Sequence, residues 1–342
     1  MKIIGLEEHF ATPELIDAWH ALEPQWKDVA LVHSSDDELT SRLLDVDAER
    51  IAAMDDTGLD VAVVSMTTPG LQNLDRADAV ALQAVCNDRL ADAVRQRPDR
   101  LQGFATLATP DPDAAAAELG RAITELGFNG AMLYGRTRDR NLDHPDFWPI
   151  FEAAEALNAP LYLHPQSPPP AVRAAYYSGL GDGVDAALAT HGLGWHYDAG
   201  LQLLRLVLAG VFDQFPNLQL ILGHWGEVML FYLERIDRLA GFANLDRPVS
   251  EYVRSNVFVT PGGVFSQLYL QWTLDVVGAD RILFASDYPY VMVPDAGSRR
   301  FLEKADLSEA DREKIASGNW QRLCAAIRRW PPGHGSNIRS RR

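Results

Sequence analysis

The stretch IGLEEHF, residues 4–10, starts as a β-prone run and ends in two acids and a histidine with no glycine-rich turn behind them. A doubly wound nucleotide-binding sheet opens on such a turn, so its absence argues for the other large α/β architecture. Working outward, seven more short β-rich runs follow: 61–66, 101–107, 130–134, 160–164, 218–224, 256–260 and 281–286. Helical patterns lie between them, and several of these end in Gly or Pro just ahead of the next strand. The runs are apolar on both faces, as parallel strands covered by helices should be. Eight strands in unbroken alternation with helices predict an α/β fold of the (β/α)8 TIM-barrel type, with the doubly wound sheet as the alternative. Inserted loops are expected after strand one (11–45) and after strand five (165–197), the latter rich in Pro, Gly and aromatics. Residues 1–329 read as one barrel domain, and the tail WPPGHGSNIRSRR, 330–342, as disordered.

Among 342 residues, 47% are hydrophobic and 23% charged, which is enough apolar material for a large core. The net charge of −16 argues against nucleic acid and anionic membrane surfaces as partners. An anionic small substrate stays possible, given local positive charge at its site. Cys86 and Cys324 stand far apart in no metal-binding spacing, which suits a reducing compartment. Glu7 and Glu8 interrupt any signal-peptide core. The most apolar run, 201–212, carries Arg205 and is followed by Asp213, so no membrane span is expected. A soluble cytoplasmic protein is the expectation.

Barrels carry their chemistry at the C-terminal ends of the strands. Four of those ends hold histidine or carboxylate: Glu7-Glu8-His9, His164, His224 with Glu227, and Asp287. Alternate residues of a strand share a face, so Glu7 and His9 point together and Glu8 points away. With His164 and Asp287 they make two carboxylates and two imidazoles, a set suited to one divalent ion, Zn2+ or Mn2+. Each piece alone has a plain structural explanation: a buried histidine, a helix cap, a turn. Their joint placement on strands one, five and eight raises the odds. His20, His33, His144, His191 and His334 read as loop or helix-flank residues, whereas the loop of His196 could fold over the barrel mouth.

The series LEEHFATPE (6–14), LYLHPQ (161–166), GVFDQFPNLQLILGHWGE (210–227), YLERID (232–237) and DRILFASDYP (280–289) resembles the aromatic-acid decarboxylase branch of the amidohydrolase superfamily. That branch includes γ-resorcylate, 2,3-dihydroxybenzoate and 5-carboxyvanillate decarboxylases, and the likeness runs from about residue 2 to 324. It implies one divalent metal per subunit on Glu7, His9, His164 and Asp287, and no organic cofactor. It implies an active-site pair of His224 with Glu227, substrate or interface contact by Arg235, and substrate contact by Arg42. It also implies a homodimer or homotetramer. Two stretches depart from the pattern: TPGGVF (260–265), where relatives tend to carry Thr-Ser-Gly, and the loop 171–197.

The implied reaction is non-oxidative loss of CO2 from a hydroxybenzoate-type acid, with Asp287 protonating the ring and His224, oriented by Glu227, managing charge. One competing reading is a metal-dependent hydrolase of a lactone or C–C bond on the same barrel. Glu7 in place of a first histidine, and no lysine at the end of strand four (AMLYGR), count against it. The other is a non-catalytic barrel that binds an aromatic acid.

Overall fold

The structure, a computed structural model, describes residues 1–31 and 37–329. His33, His334 and the tail 330–342 therefore lie outside the described residues. Seven strands line up with the sequence reading: Ile4–Phe10, Val61–Met66, Leu101–Gly103 continuing as Ala105–Thr106, Ala131–Tyr134, Leu161–His164, Leu220–Leu222 and Val257–Val259. The eighth is shorter than expected, with Ile282 bridging to Val259 and Phe284 bridging to Gly5.

The ring closes at two seams. Strand three changes neighbour at Phe104, whose N–H donates to Val64 O at 2.9 Å, while the N–H of Ala105 donates to Gly130 O at 2.9 Å. This crossover splits the run 101–107 that the sequence reads as one strand. At the other seam Leu283 N donates to Val259 O at 2.9 Å and Leu6 N to Phe284 O at 3.0 Å. Every pairing around the ring is parallel. The result is the closed eight-stranded (β/α)8 barrel that the alternation predicts.

The interior is a packed plug of Ile4, Leu6, Val63, Phe104, Tyr162 and Phe258 with their neighbours. Trp320 joins it near the strand N-termini, its Nε1 donating to Gln102 Oε1 at 2.9 Å. A larger apolar shell, including Phe10, Val64, Leu133 and Leu163, packs between strands and helices. Strand one serves both layers through a bulge. Gly5 pairs with Ala62 and Glu8 with Val64, so Leu6 and Glu7 together face Val63. Leu6 joins the plug, and Glu7, also turned inward, meets Tyr162. Glu8 then points outward with Gly5, where a Cβ on Gly5 would stand 2.3 Å from Glu8 Oε1.

The two inserted segments, expected as loops, contain helices. After strand one come Pro13–Ala21 and Asp37–Leu44. The first is started by Thr12, whose side chain accepts from Leu15 N, with Pro13 at the first helical position. After strand five come Pro170–Tyr176 and Asp182–Ala189, and then Gly194–Leu208, which carries His196. The long helix suggested by EVMLFYLERIDRLAGF (227–242) is broken into Leu230–Tyr232, Leu233–Ile236 and Leu239–Ala243. Its start is lost because Glu227 and Val228 take left-handed φ values of 50° and 61°. Among the described residues no helix is long and apolar enough to cross a membrane.

Candidate active site

Strands one and five bring Glu7, His9 and His164 together at the barrel mouth, each with a ligand atom within 4.8 Å of the others. All three are buried. The Nδ1 of His164 lies 2.8 Å from the carbonyl of Pro165, which can only accept, so Nδ1 carries the hydrogen. That leaves a lone pair on His164 Nε2, and it faces Oε1 of Glu7 at 3.3 Å. Two lone pairs confront one another with no proton to share. Glu7 Oε1 and His9 Nε2 are buried without a hydrogen bond, and Asp287 Oδ1 stands 3.3 Å from His9 Nε2. Orphaned acceptors converging on one point fit a cation, and the mixed N/O set fits a borderline divalent ion.

The protonation states agree. Burial pushes His9 down to about 4 and lowers His164, so both rings are neutral, the form that ligates. Burial opposes charge on Glu7, but the nearby charge of His224, the largest opposing cause, overcomes it and holds the carboxyl well below its ordinary range. Asp287 goes the other way, pushed up to about 8 by burial and by the charge of Glu7. Two carboxyls in one pocket are thus driven apart, one ionised and one protonated.

A second cluster adjoins the first. His224 Nδ1 donates to Glu227 Oε1 at 2.6 Å, and His224 Nε2 lies 3.9 Å from Glu7 Oε1. Burial works against a charge on His224, yet Glu227 and Glu7 raise it to about 10. Non-glycine residues His224, Trp225, Glu227 and Val228 all have φ between 45° and 61°. Such residues cost roughly 1–2 kcal/mol each in that conformation. Surrounding bonds enforce it: Trp225 donates from its backbone to Thr260 O at 2.8 Å and from Nε1 to Val264 O at 2.7 Å. Gly262 (φ 48°) gives the room, since a Cβ there would come within 2.8 Å of the His224 ring and 3.0 Å of Glu7 Oε2. The stretch TPGGVF thus bears directly on the site. Beside His196 and His224 lies a cleft of about 420 Å³, lined also by Tyr197, Trp225, Phe231 and Tyr269.

The structure therefore gathers Glu7, His9, His164, Asp287, His224 and Glu227. It does not bring Arg42 or Arg235 into this group. Arg42 turns to Glu38 and to Met292 Sδ in a groove outside the cluster. Arg235 is exposed on the short helix Leu233–Ile236 and makes no ion pair among the described residues.

Four further residues shape or brace the site. Tyr162 donates to Glu7 Oε2 at 2.5 Å. It lies two residues before His164, so strand periodicity marks it as inward-facing. Arg50, buried, donates to His9 O at 2.5 Å and sits 4.9 Å over the Tyr288 ring. Helix position 50 carries no sequence signal of that reach. His196 donates to Glu227 Oε2 at 2.7 Å, bringing its segment over the mouth. Glu8, facing away, accepts from Ser286 N at 3.0 Å and Oγ at 2.6 Å, tying strand one to strand eight behind the site.

A closed barrel with these groups at its strand ends is the architecture of the amidohydrolases, and the chain belongs to that family: the Amidohydrolase family profile matches residues 16–323. Within the family it is similar to γ-resorcylate decarboxylase of Polaromonas sp. strain JS666, 35% identical over 94% of this chain and 97% of that one. It also resembles the crystal structure of 5-carboxyvanillate decarboxylase from Sphingomonas paucimobilis, with a TM-score of 0.87 and 32% identity over 96% of this chain and 99% of that one. The Novosphingobium aromaticivorans 5-carboxyvanillate decarboxylase, complexed with manganese and 4-hydroxy-3-methoxy-5-nitrobenzoic acid, has a TM-score of 0.87 and 34% identity over 95% and 96% of the two chains.

Proposed function

We propose that this chain is a metal-dependent carboxy-lyase that removes CO2 non-oxidatively from a hydroxylated aromatic carboxylate of the hydroxybenzoate type. The observation that carries this is the pair of opposed lone pairs on Glu7 Oε1 and His164 Nε2, 3.3 Å apart, with the unbonded Nε2 of His9 beside them and the Asp287 carboxyl 3.3 Å from that nitrogen. The similarity to γ-resorcylate and 5-carboxyvanillate decarboxylases along nearly the whole chain supports it.

Glu7, His9 and His164 would hold a divalent ion, Mn2+ or Zn2+, with Asp287 as the fourth group at its rim. That ion, when bound, supplies the positive charge that neutralises and orients the substrate's carboxylate and ortho oxygen. Asp287 delivers its proton to the ring carbon bearing the carboxylate, and electrons from the ortho oxygen feed that carbon. The bond to the carboxyl group then breaks, its electron pair returns to the ring, and CO2 leaves. His224, charged and anchored by Glu227, balances negative charge beside Glu7. Solvent returns a proton to Asp287.

Arg235 is proposed as a substrate or interface contact and Arg42 as a substrate contact, although neither side chain stands in the cluster of Glu7, His9 and His164. Exposed Phe231 and Tyr232, on the stretch just before Arg235, are the surface through which a homodimer or homotetramer would form. Free thiols at Cys86 and Cys324 support a cytoplasmic setting. The test is CO2 release from a hydroxybenzoate panel headed by γ-resorcylate and 5-carboxyvanillate, with metal analysis of the same sample. Hydrolysis of a lactone without CO2 release would assign the barrel to the hydrolases instead.

A further inference from the structure

The carboxylate of Glu227 is shared between two imidazoles. Oε1 accepts from Nδ1 of His224 at 2.6 Å and Oε2 from Nδ1 of His196 at 2.7 Å, with the two rings 4.7 Å apart. Glu227 is fully buried, and His196 supplies the hydrogen bond to its Oε2 in place of solvent. His196 is itself fixed, because its Nε2 faces the carbonyl of His191 at 3.1 Å. Its helix, Gly194–Leu208, seats directly on the strained loop: a Cβ on Gly200 would stand 2.3 Å from Glu227 O. We infer that His196 is a positioning residue, holding the second oxygen of Glu227 so that the first can hold His224 in one orientation beside Glu7. A carboxylate tied at one oxygen can turn about its terminal torsion, whereas one tied at both cannot. The aim of His224 is therefore set by the inserted segment after strand five as well as by the barrel.

This inference rests on the decarboxylase reading only for its kinetic arm. The holoenzyme and two variants are compared on whichever hydroxybenzoate the wild type turns over. His196→Ala is expected to lower kcat about tenfold or more, with KM and metal content unchanged, as loss of an orienting partner does. His196→Asn, whose amide nitrogen can take the place of Nδ1, is expected to recover most of that loss. Proton NMR reads the array without turnover. The wild type should show two downfield imidazole protons. His196→Ala should lose one and shift the other, and His196→Asn should keep the His224 signal in place. Wild-type kcat in His196→Ala, equal damage in both variants, or an unshifted His224 proton would overturn the inference. If the wild type releases no CO2, the decarboxylase reading fails and the NMR arm alone decides this one.

Discussion

The phenol of Tyr162 donates to Oε2 of Glu7 across 2.5 Å and accepts in turn from Thr260 Oγ1 at 2.8 Å. One oxygen of Glu7 is thereby fixed, and the other is left to face His164. Tyr162→Phe keeps the ring and deletes the donor. Metal affinity is expected to fall about 10- to 100-fold with the fold intact, read by calorimetric titration of the metal-free protein. Unchanged affinity would show that Glu7 needs no such support.

The proposed ligands and the proton donor separate experimentally. Glu7→Ala and His164→Ala should lose bound metal and turnover together, since each removes a donor atom from the proposed ligand set. Asp287→Asn should retain most of the metal and lose turnover by at least about 100-fold, the usual scale of general acid catalysis. Elemental analysis beside a CO2 assay distinguishes the two patterns. Full metal content in His164→Ala would strike that residue from the ligand set.

Stripping the metal should cost stability as well as activity. An ion held at about 100 times its dissociation constant stabilises the fold by about 2.7 kcal/mol. For a chain of this size that is a Tm lower by roughly 4 °C in chelator, restored by added Mn2+ or Zn2+. Whichever ion restores both Tm and CO2 release is the working one. An unmoved Tm would mean the site does not hold a metal in the native state.

A pH effect is expected away from the metal centre. Burial pushes Asp198 from its ordinary 3.8 up to about 6, only partly opposed by Arg136, whose Nε lies 3.7 Å away. The folded state thus binds this proton more tightly than the unfolded chain. Its contribution favours folding below about pH 4, declines as pH rises toward 6, and is a standing penalty above that, on the order of 2–3 kcal/mol. Asp198→Asn removes the titration, so its stability relative to wild type should rise between pH 4 and 6. Denaturant melts across that range check the slope, and parallel curves would refute it.

Much of this was readable from strand ends. Period-two alternation puts Glu7 and His9 on one face, and the strand-end position puts His164 beside them, as the structure has them. The same rule, applied from His164 back to Tyr162, marks the Glu7 partner too. What stayed hidden depends on contacts between distant segments. Arg50 reaches the site from a helix, where nothing local tells which turn meets the mouth, and His196, read as able to fold over the mouth, carried no sign of its bond to Glu227. The crossover at Phe104 and the brevity of strand eight follow from ring closure, which no single stretch encodes. The break in the 227–242 helix follows from left-handed residues that only the packing around Trp225 enforces.

The bulge in strand one has its own consequence. Inward side chains on an even strand stand about 7 Å apart along its length, but Leu6 and Glu7 both face Val63 and sit at about half that spacing. The carboxylate therefore rests directly on hydrocarbon, with the plug sealed beneath it as far as Trp320. The apolar plug lies on the strand N-terminal side of Glu7, so an acid would enter, and the gas leave, at the C-terminal ends of the strands.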